Sequence, residues 1–161
     1  MRAFRRILLA TNLTSASAAV FARAVLLARK FGAELLIAHV YRPPNISLAE
    51  AVAPGVYDEW DENLRTEAAR MLQPLVEKAR RQLVPAWPLV LRGVPRKAIV
   101  QAARENNADL IVIGSYPRRG LARLLPWSFA SRLASSAPCH VLAIPIIPPG
   151  LHSDPFLHRI A

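Results

Sequence analysis

Cysteine, lysine, carboxylates and long apolar runs are all scarce in this chain, and each scarcity excludes something. A single cysteine, Cys139, in 161 residues rules out an intramolecular disulfide framework, and four scattered histidines leave no C-x2-C or H-x3-H pair to hold zinc. Eleven Asp and Glu stand against 21 Lys and Arg, a formal net charge of +10, and 18 of those cations are arginine. The charge is carried by planar guanidinium groups suited to anions, but it is spread from Arg2 to Arg159. No helix-turn-helix, zinc-finger or RNA-binding aromatic signature accompanies it, so no specific nucleic-acid partner is expected. No apolar run approaches the roughly 20 residues of a membrane span. The basic start, residues 1–6, is followed by only Ile7, Leu8, Leu9 and Ala10 before Thr11 and Asn12 intervene, short of the roughly 7–15 apolar residues of an export signal. A cytoplasmic protein without membrane contact is expected. Phosphate loops of the G-x4-G-K-[ST] type, G-x-G-x-x-G fingerprints and G-x-S-x-G elbows are absent as well.

What is present is 53% apolar residues against 20% charged, the balance of one ordinary globular domain. Apolar runs of strand length at 7–11, 34–41, 87–91, 110–114 and 140–144 alternate with stretches of helical spacing, which predicts parallel strands joined by crossover helices. Ile111, Val112 and Ile113 run without polar alternation, as in a central strand covered on both faces. Ser15 or Ser17 is positioned to cap a first helix that buries Val20, Ala24, Leu27 and Phe31 and ends at Gly32. A second helix over 58–83 opens on Asp58, Glu59, Asp61 and Glu62 and closes on Arg80 and Arg81, matching the macrodipole, and Pro74 should kink or divide it. A third begins at Pro95 and buries Ala98, Ile99, Ala102 and Ala103 before Asn106 and Asn107. A fourth runs from near Ser128 to before Pro138.

Residues 42–55, with Pro43, Pro44, Pro54 and Gly55, read as a long loop. After Ile147 the breaker Pro148-Pro149-Gly150 releases a tail in which Phe156, Leu157 and Ile160 either dock on a neighbour or fray. The expected division is an α/β domain over 1–147 and a tail over 148–161.

In an open, doubly wound sheet, ligands bind beyond the carboxyl ends of the strands where the strand order reverses. That rule gathers residues 10–14, 39–41 and 114–120 at one crevice. His39 reads as a packed or hydrogen-bonded residue, because no carboxylate is positioned to make it a base. Cys139 reads as a small buried hydrophobe, and it cannot chelate with His140 because neighbours on a strand point to opposite faces.

Three segments resemble the universal stress protein family, and the resemblance spans roughly residues 4–147. Arg6-Ile7-Leu8-Leu9-Ala10-Thr11-Asn12 is similar to its first strand, and Ala108-Asp109-Leu110-Ile111-Val112-Ile113-Gly114-Ser115 to its fourth. Arg119-Gly120-Leu121-Ala122-Arg123-Leu124-Leu125, then residues 128–132, then Ala137-Pro138-Cys139-His140-Val141-Leu142 complete a C-terminal signature. The resemblance implies a single open sheet of five parallel strands in the order 3-2-1-4-5 with helices on both faces. It also implies a homodimer formed by antiparallel pairing of the last strand, here bounded by His140 and Ile144, whose apolar, nearly uncharged edge suits such pairing.

The ATP-binding branch of that family carries the loop G-x2-G-x9-G-[S/T]. Here Gly114 fills the first glycine position and Ser128 the hydroxyl, but Pro117 and Trp127 replace the second and third glycines. Proline removes an amide donor and fixes φ, so a turn needing positive φ or a phosphate-facing N–H is denied there. An indole at 127 would fill the phosphate pocket or stack over another ligand. The family's acidic residue at the end of strand one is Asn12, which keeps the hydrogen-bonding shape and discards the charge. Val40 matches the position whose backbone meets adenine. Arg118 and Arg119 offer phosphate partners in place of lost amides, aided by the helix start at Ser128.

The expectation is a non-enzymatic stress-response protein, regulatory or protective, whose ATP site is impaired by Pro117 and Trp127. The alternative is a dimeric nucleotide-binding switch that keeps ATP or a related nucleotide in the crevice through Thr11, Asn12, Val40, Gly114, Ser115, Arg118, Arg119 and Ser128.

Overall fold

The computed structural model describes residues 4–43, 55–116 and 128–146. Among these, five strands form one all-parallel sheet: β1 (Arg6–Ala10), β2 (Glu34–Tyr41), β3 (Ala86–Arg92), β4 (Leu110–Ser115) and β5 (His140–Pro145). Their spatial order is β3-β2-β1-β4-β5, the order expected. In-register pairs such as Leu8 with Leu36 and Leu8 with Ile111 place β1 at the centre of the sheet. At the amino end of the sheet one carboxylate fixes the β1–β4 register, because Asp109 Oδ2 accepts from the backbone N–H groups of Arg5 and Arg6 at 2.6 and 2.9 Å.

Among the described residues four α-helices follow the strands: α1 (Ala18–Phe31), α2 (Val56–Arg80), α3 (Pro95–Glu105) and α4 (Phe129–Ala134). Alternate side chains of each strand feed two separate cores. Ile7, Leu9, Leu35, Ile37, Leu110 and Val112 meet α1 and α2, while Leu8, Leu36, Ile111 and Ile113 meet α3 and α4. Each fully buried Leu or Ile contributes roughly 1.5–3 kcal/mol, so it is the two-sided burial of β1 and β4 that holds the sheet.

Local details depart from expectation in four places. Neither Ser15 nor Ser17 caps α1 through its side chain; Ser15–Ser17 forms a 3-10 turn, and the Ser17 hydroxyl turns back to Asn12 instead. The buried face of α1 is Val20, Phe21, Ala24, Val25 and Ala28, with Leu27 and Phe31 only packed against its margin. Gly32 does close the helix, at φ +62°. Pro74 does not divide α2, which runs unbroken for 25 residues, and Leu83 lies in the turn beyond it at φ +62°. The proline is exposed, so the carbonyl it leaves without an intrahelical partner is served by solvent. Ala98 of α3 and Cys139 are half-buried rather than buried, although Cys139 packs against the second core.

Pro95 opens α3 at its first turn as expected, and Ser128 caps α4, its Oγ accepting from the Ser131 N–H at 2.9 Å. No helix among the described residues is long and apolar enough to cross a membrane. The expected loop is described only at its ends, and Pro117, Arg118, Arg119, Trp127 and the tail over 148–161 lie outside the described residues.

Candidate functional site

At the carboxyl ends of β1, β2 and β4 the sheet opens into a cavity of ≈ 300 Å³. That is the lower end of the range for small-molecule sites. It arises because β1 lies between two parallel neighbours whose following helices cover opposite faces of the sheet, α2 after β2 on one and α4 after β4 on the other. Thr11 and Asn12 follow β1, His39 and Val40 end β2, and Ile113, Gly114 and Tyr116 come from β4 and just beyond it. Pro95 and Ile99 of α3, with Phe129 of α4, form one side wall. Val20 of α1 and Ile146 form the other.

Four candidate residues from the sequence meet here: Thr11, Asn12, Val40 and Gly114. Ser115 and Ser128 do not line the cavity; the Ser128 hydroxyl is engaged as a helix cap and the Ser115 carbonyl accepts from the Ile146 N–H at 2.7 Å. Ser17, Phe129 and Ile146 complete the walls and were not candidates. Ile146 gave no warning in the sequence, because its role depends on a hydrogen bond that carries the β4–β5 ladder one residue past the strand.

The polar groups of the cavity are mostly spoken for. His39 Nδ1 lies 2.9 Å from the Thr11 carbonyl oxygen, and since a carbonyl only accepts, Nδ1 carries the proton. In the neutral ring Nε2 is then an acceptor. Asn12 Oδ1 accepts from the Thr14 hydroxyl at 2.9 Å, from the Thr14 N–H at 3.4 Å and from the Ser17 hydroxyl. That network holds the turn in which Leu13 adopts φ +59°, a left-handed conformation uncommon for a bulky side chain. With its oxygen occupied, Asn12 offers a ligand its NH2 group, a donor where a carboxylate would accept. Among the described residues no Asp, Glu, Lys or Arg lines the cavity.

Gly114 is closely packed. Its φ is not in the left-handed region, so it is not a glycine for conformational reasons. A Cβ built on it would lie 2.5 Å from Ile146 Cδ1, 3.2 Å from Ile146 Cγ1 and 3.3 Å from Val20 Cγ2. The bare face of Gly114 is thus covered by Ile146, which is 5% exposed. Chemically the described lining is uncharged apart from any protonation of His39 and largely apolar, with aromatic rings at Tyr116 and Phe129 and a few directed polar atoms at its β1 edge.

Residues 3–145 match the model of the universal stress protein family. The chain is 30% identical over 142 residues to a universal stress protein of Methanocaldococcus jannaschii, covering 88% of this chain and 82% of that one. It is 29% identical over 146 residues to universal stress protein YxiE of Bacillus subtilis, covering 88% and 99%. Among solved structures, a universal stress protein crystallised in complex with cAMP has the same fold, with TM-score 0.65 and 24% identity over 90% of this chain and 99% of that one.

Proposed function

The chain belongs to the universal stress protein family, and from that premise we infer a non-enzymatic, cytoplasmic stress-response module, homodimeric, whose crevice has lost the affinity for ATP found in part of the family. The observation that carries this reading is the Ile146 side chain packed on the bare face of Gly114, where a phosphate-binding glycine would leave room for ligand. Pro117 and Trp127, which replace two further glycines, support it from the sequence. The lining supports it too, since among the described walls no Lys or Arg is placed to pair with a triphosphate.

Absence of catalysis is supported by the lining, in which no Asp, Glu, Lys, Arg or Cys stands beside His39 among the described residues to make an acid–base or nucleophile pair with it. Dimerisation through β5 is supported by its free edge, where Leu142 and Ala143 are exposed and no Asp, Glu, Lys or Arg interrupts residues 140–146.

A second reading keeps a ligand in the crevice but of smaller charge. The Asn12 amide, the Val40 backbone and the rings of Tyr116 and Phe129 suit a nucleoside or cyclic nucleotide better than ATP, and a family member of the same fold holds cAMP. Thermal melting separates the readings. Saturation at about 100 times Kd adds about 2.7 kcal/mol, equivalent for a chain of this size to a rise of roughly 5–10 °C. The first reading expects no such rise with ATP, cAMP or adenosine, and a rise with ATP once Pro117→Gly and Trp127→Gly are introduced together. A rise with cAMP or adenosine alone establishes the second, and a rise of the unaltered protein with ATP overturns both.

A further inference from the structure

The core-facing stripe of α2 changes character halfway along. Its buried residues are Ala68, Leu72, Val76 and Ala79, which recur at helical spacing, and Leu72 and Val76 are wholly enclosed. Carried back toward the amino end, the same stripe reaches Arg65 and Asp61, charged groups where an amphipathic helix places apolar ones. None of residues 56–67 is buried, and Trp60 and Leu64 are 41% and 40% exposed. The helix start adds no anchor, because Gly55 stands at the N-cap position with no side chain to hold the first turn.

What ties this half to the sheet is polar and centres on one carboxylate. Asp61 Oδ1 accepts from Arg92 Nε at 3.1 Å, and the Asp61 side chain also accepts from the Tyr41 phenol. Tyr41 and Arg92 are the last residues of β2 and β3 and lie opposite each other in register. Tyr57, one turn before Asp61, is close enough to Arg92 to interact with its charge. The pairs of Glu62 with Arg65 and of Glu67 with Arg70 stay within the helix and tie it to no other element. If Asp61 lets go, no fully buried side chain leaves the core. A detached segment over 56–67 is also at the lower limit of the roughly 12–15 residues at which an isolated helix is even marginal in water, so its amides open with it.

We propose that residues 56–67 form a strap that opens as a unit while the rest of the fold stays closed, with Asp61 as its clasp. Opening uncovers Tyr41, only 8% exposed in the closed form, at the end of β2 that carries His39 and Val40 into the cavity. Salt favours the open form, because the Arg92 side chain is 53% exposed and its attraction to Asp61 is screened. The strap is thus a conformational device beside the candidate site, and it operates whether or not that site holds a ligand.

Hydrogen–deuterium exchange of the full chain, read by mass spectrometry on peptides covering residues 60–67 and 75–79, tests this. In the unaltered protein at low salt, and relative to intrinsic rates, amides of 60–67 should exchange at least about 100-fold faster than those of 75–79, because the second half of α2 opens only with the whole fold. Asp61→Ala should speed exchange over 60–67 about tenfold further and leave 75–79 unchanged. Arg92→Gln should act in the same direction, and about 1 M salt should raise the rate of the unaltered protein over 60–67 alone. The steady protection of 75–79 reports in the same experiment that the fold is kept. Equal protection of the two halves in the unaltered protein overturns the proposal, since residues 56–67 then open only with the whole molecule. So does equal acceleration of both halves by Asp61→Ala, or a rate over 60–67 that neither the substitutions nor salt alters, which would mean that other contacts fasten the segment.

Discussion

Adding one methyl group at Gly114 tests whether this glycine serves packing or a ligand. In Gly114→Ala the new Cβ would stand 2.5 Å from Ile146 Cδ1, about 1–1.5 Å inside a normal carbon contact. Cδ1 is the end of a side chain and can swing away, but Ile146 Cγ1 at 3.2 Å and Val20 Cγ2 at 3.3 Å crowd the same space, so one rotation does not clear it. Overpacking costs about 1–3 kcal/mol in general, and a movable end puts this case at about 1–2 kcal/mol. That figure is net of the roughly 0.4–1 kcal/mol that alanine gains over glycine, at a φ outside the left-handed region, by stiffening the unfolded chain. In melting experiments the expected fall is roughly 3–6 °C. Ile146→Val removes the clashing Cδ1 at a cost of about 0.5–1.5 kcal/mol by itself. In that background Gly114→Ala should cost less than about 0.5 kcal/mol, a coupling of about 1 kcal/mol in a double-mutant cycle. A cost near zero in the unaltered protein, or an equal cost in both backgrounds, would refute the packing argument.

Three other perturbations follow from the same geometry. Pro74→Ala restores the N–H that α2 lacks opposite the Arg70 carbonyl, at an exposed position inside an unbroken helix, and should raise stability by about 1–2 kcal/mol in urea unfolding. Asp61→Asn breaks the ion pair with Arg92, which is exposed, and should lower the melting temperature only slightly. Burial first and the Asp61 carboxylate second hold the Tyr41 phenol above its ordinary range, so in this variant it should ionise at lower pH yet still later than a free tyrosine, as followed by ultraviolet difference spectroscopy. Burial, reinforced by Asp109 and partly offset by a backbone hydrogen bond with Ile111, pushes the Cys139 thiol up. Its alkylation by iodoacetamide should therefore reach half-maximal rate at higher pH than a free cysteine, and because the folded state favours the neutral thiol, its contribution to stability should decline as pH rises past about 8.5.

The sheet was legible in the chain because β1 and β4 are buried on both faces, so Ile7, Leu8 and Leu9 and the run Leu110 to Ile113 have no polar alternation to confuse the reading. Strand order came from resemblance, since no periodicity encodes which strand lies beside which. Thr11, Asn12 and Val40 were found because strand ends at a reversal of order face a common crevice. Ser17 stands at the N-cap position without a side-chain cap, because a hydroxyl there can accept from the free helix N–H groups or orient to donate to a nearby oxygen, and here it is engaged by Asn12 Oδ1. At Gly114 the sequence is silent on packing: a glycine at a phosphate-loop position looks the same whether or not a side chain such as Ile146 lies where its Cβ would be.

Equilibrium dialysis of the purified chain against ATP measures most directly whether the crevice has lost that ligand. The account predicts that at about 1 mM ATP no more than about a tenth of the sites are filled, corresponding to a dissociation constant near or above 10 mM. Near-stoichiometric retention of ATP under the same conditions would contradict it.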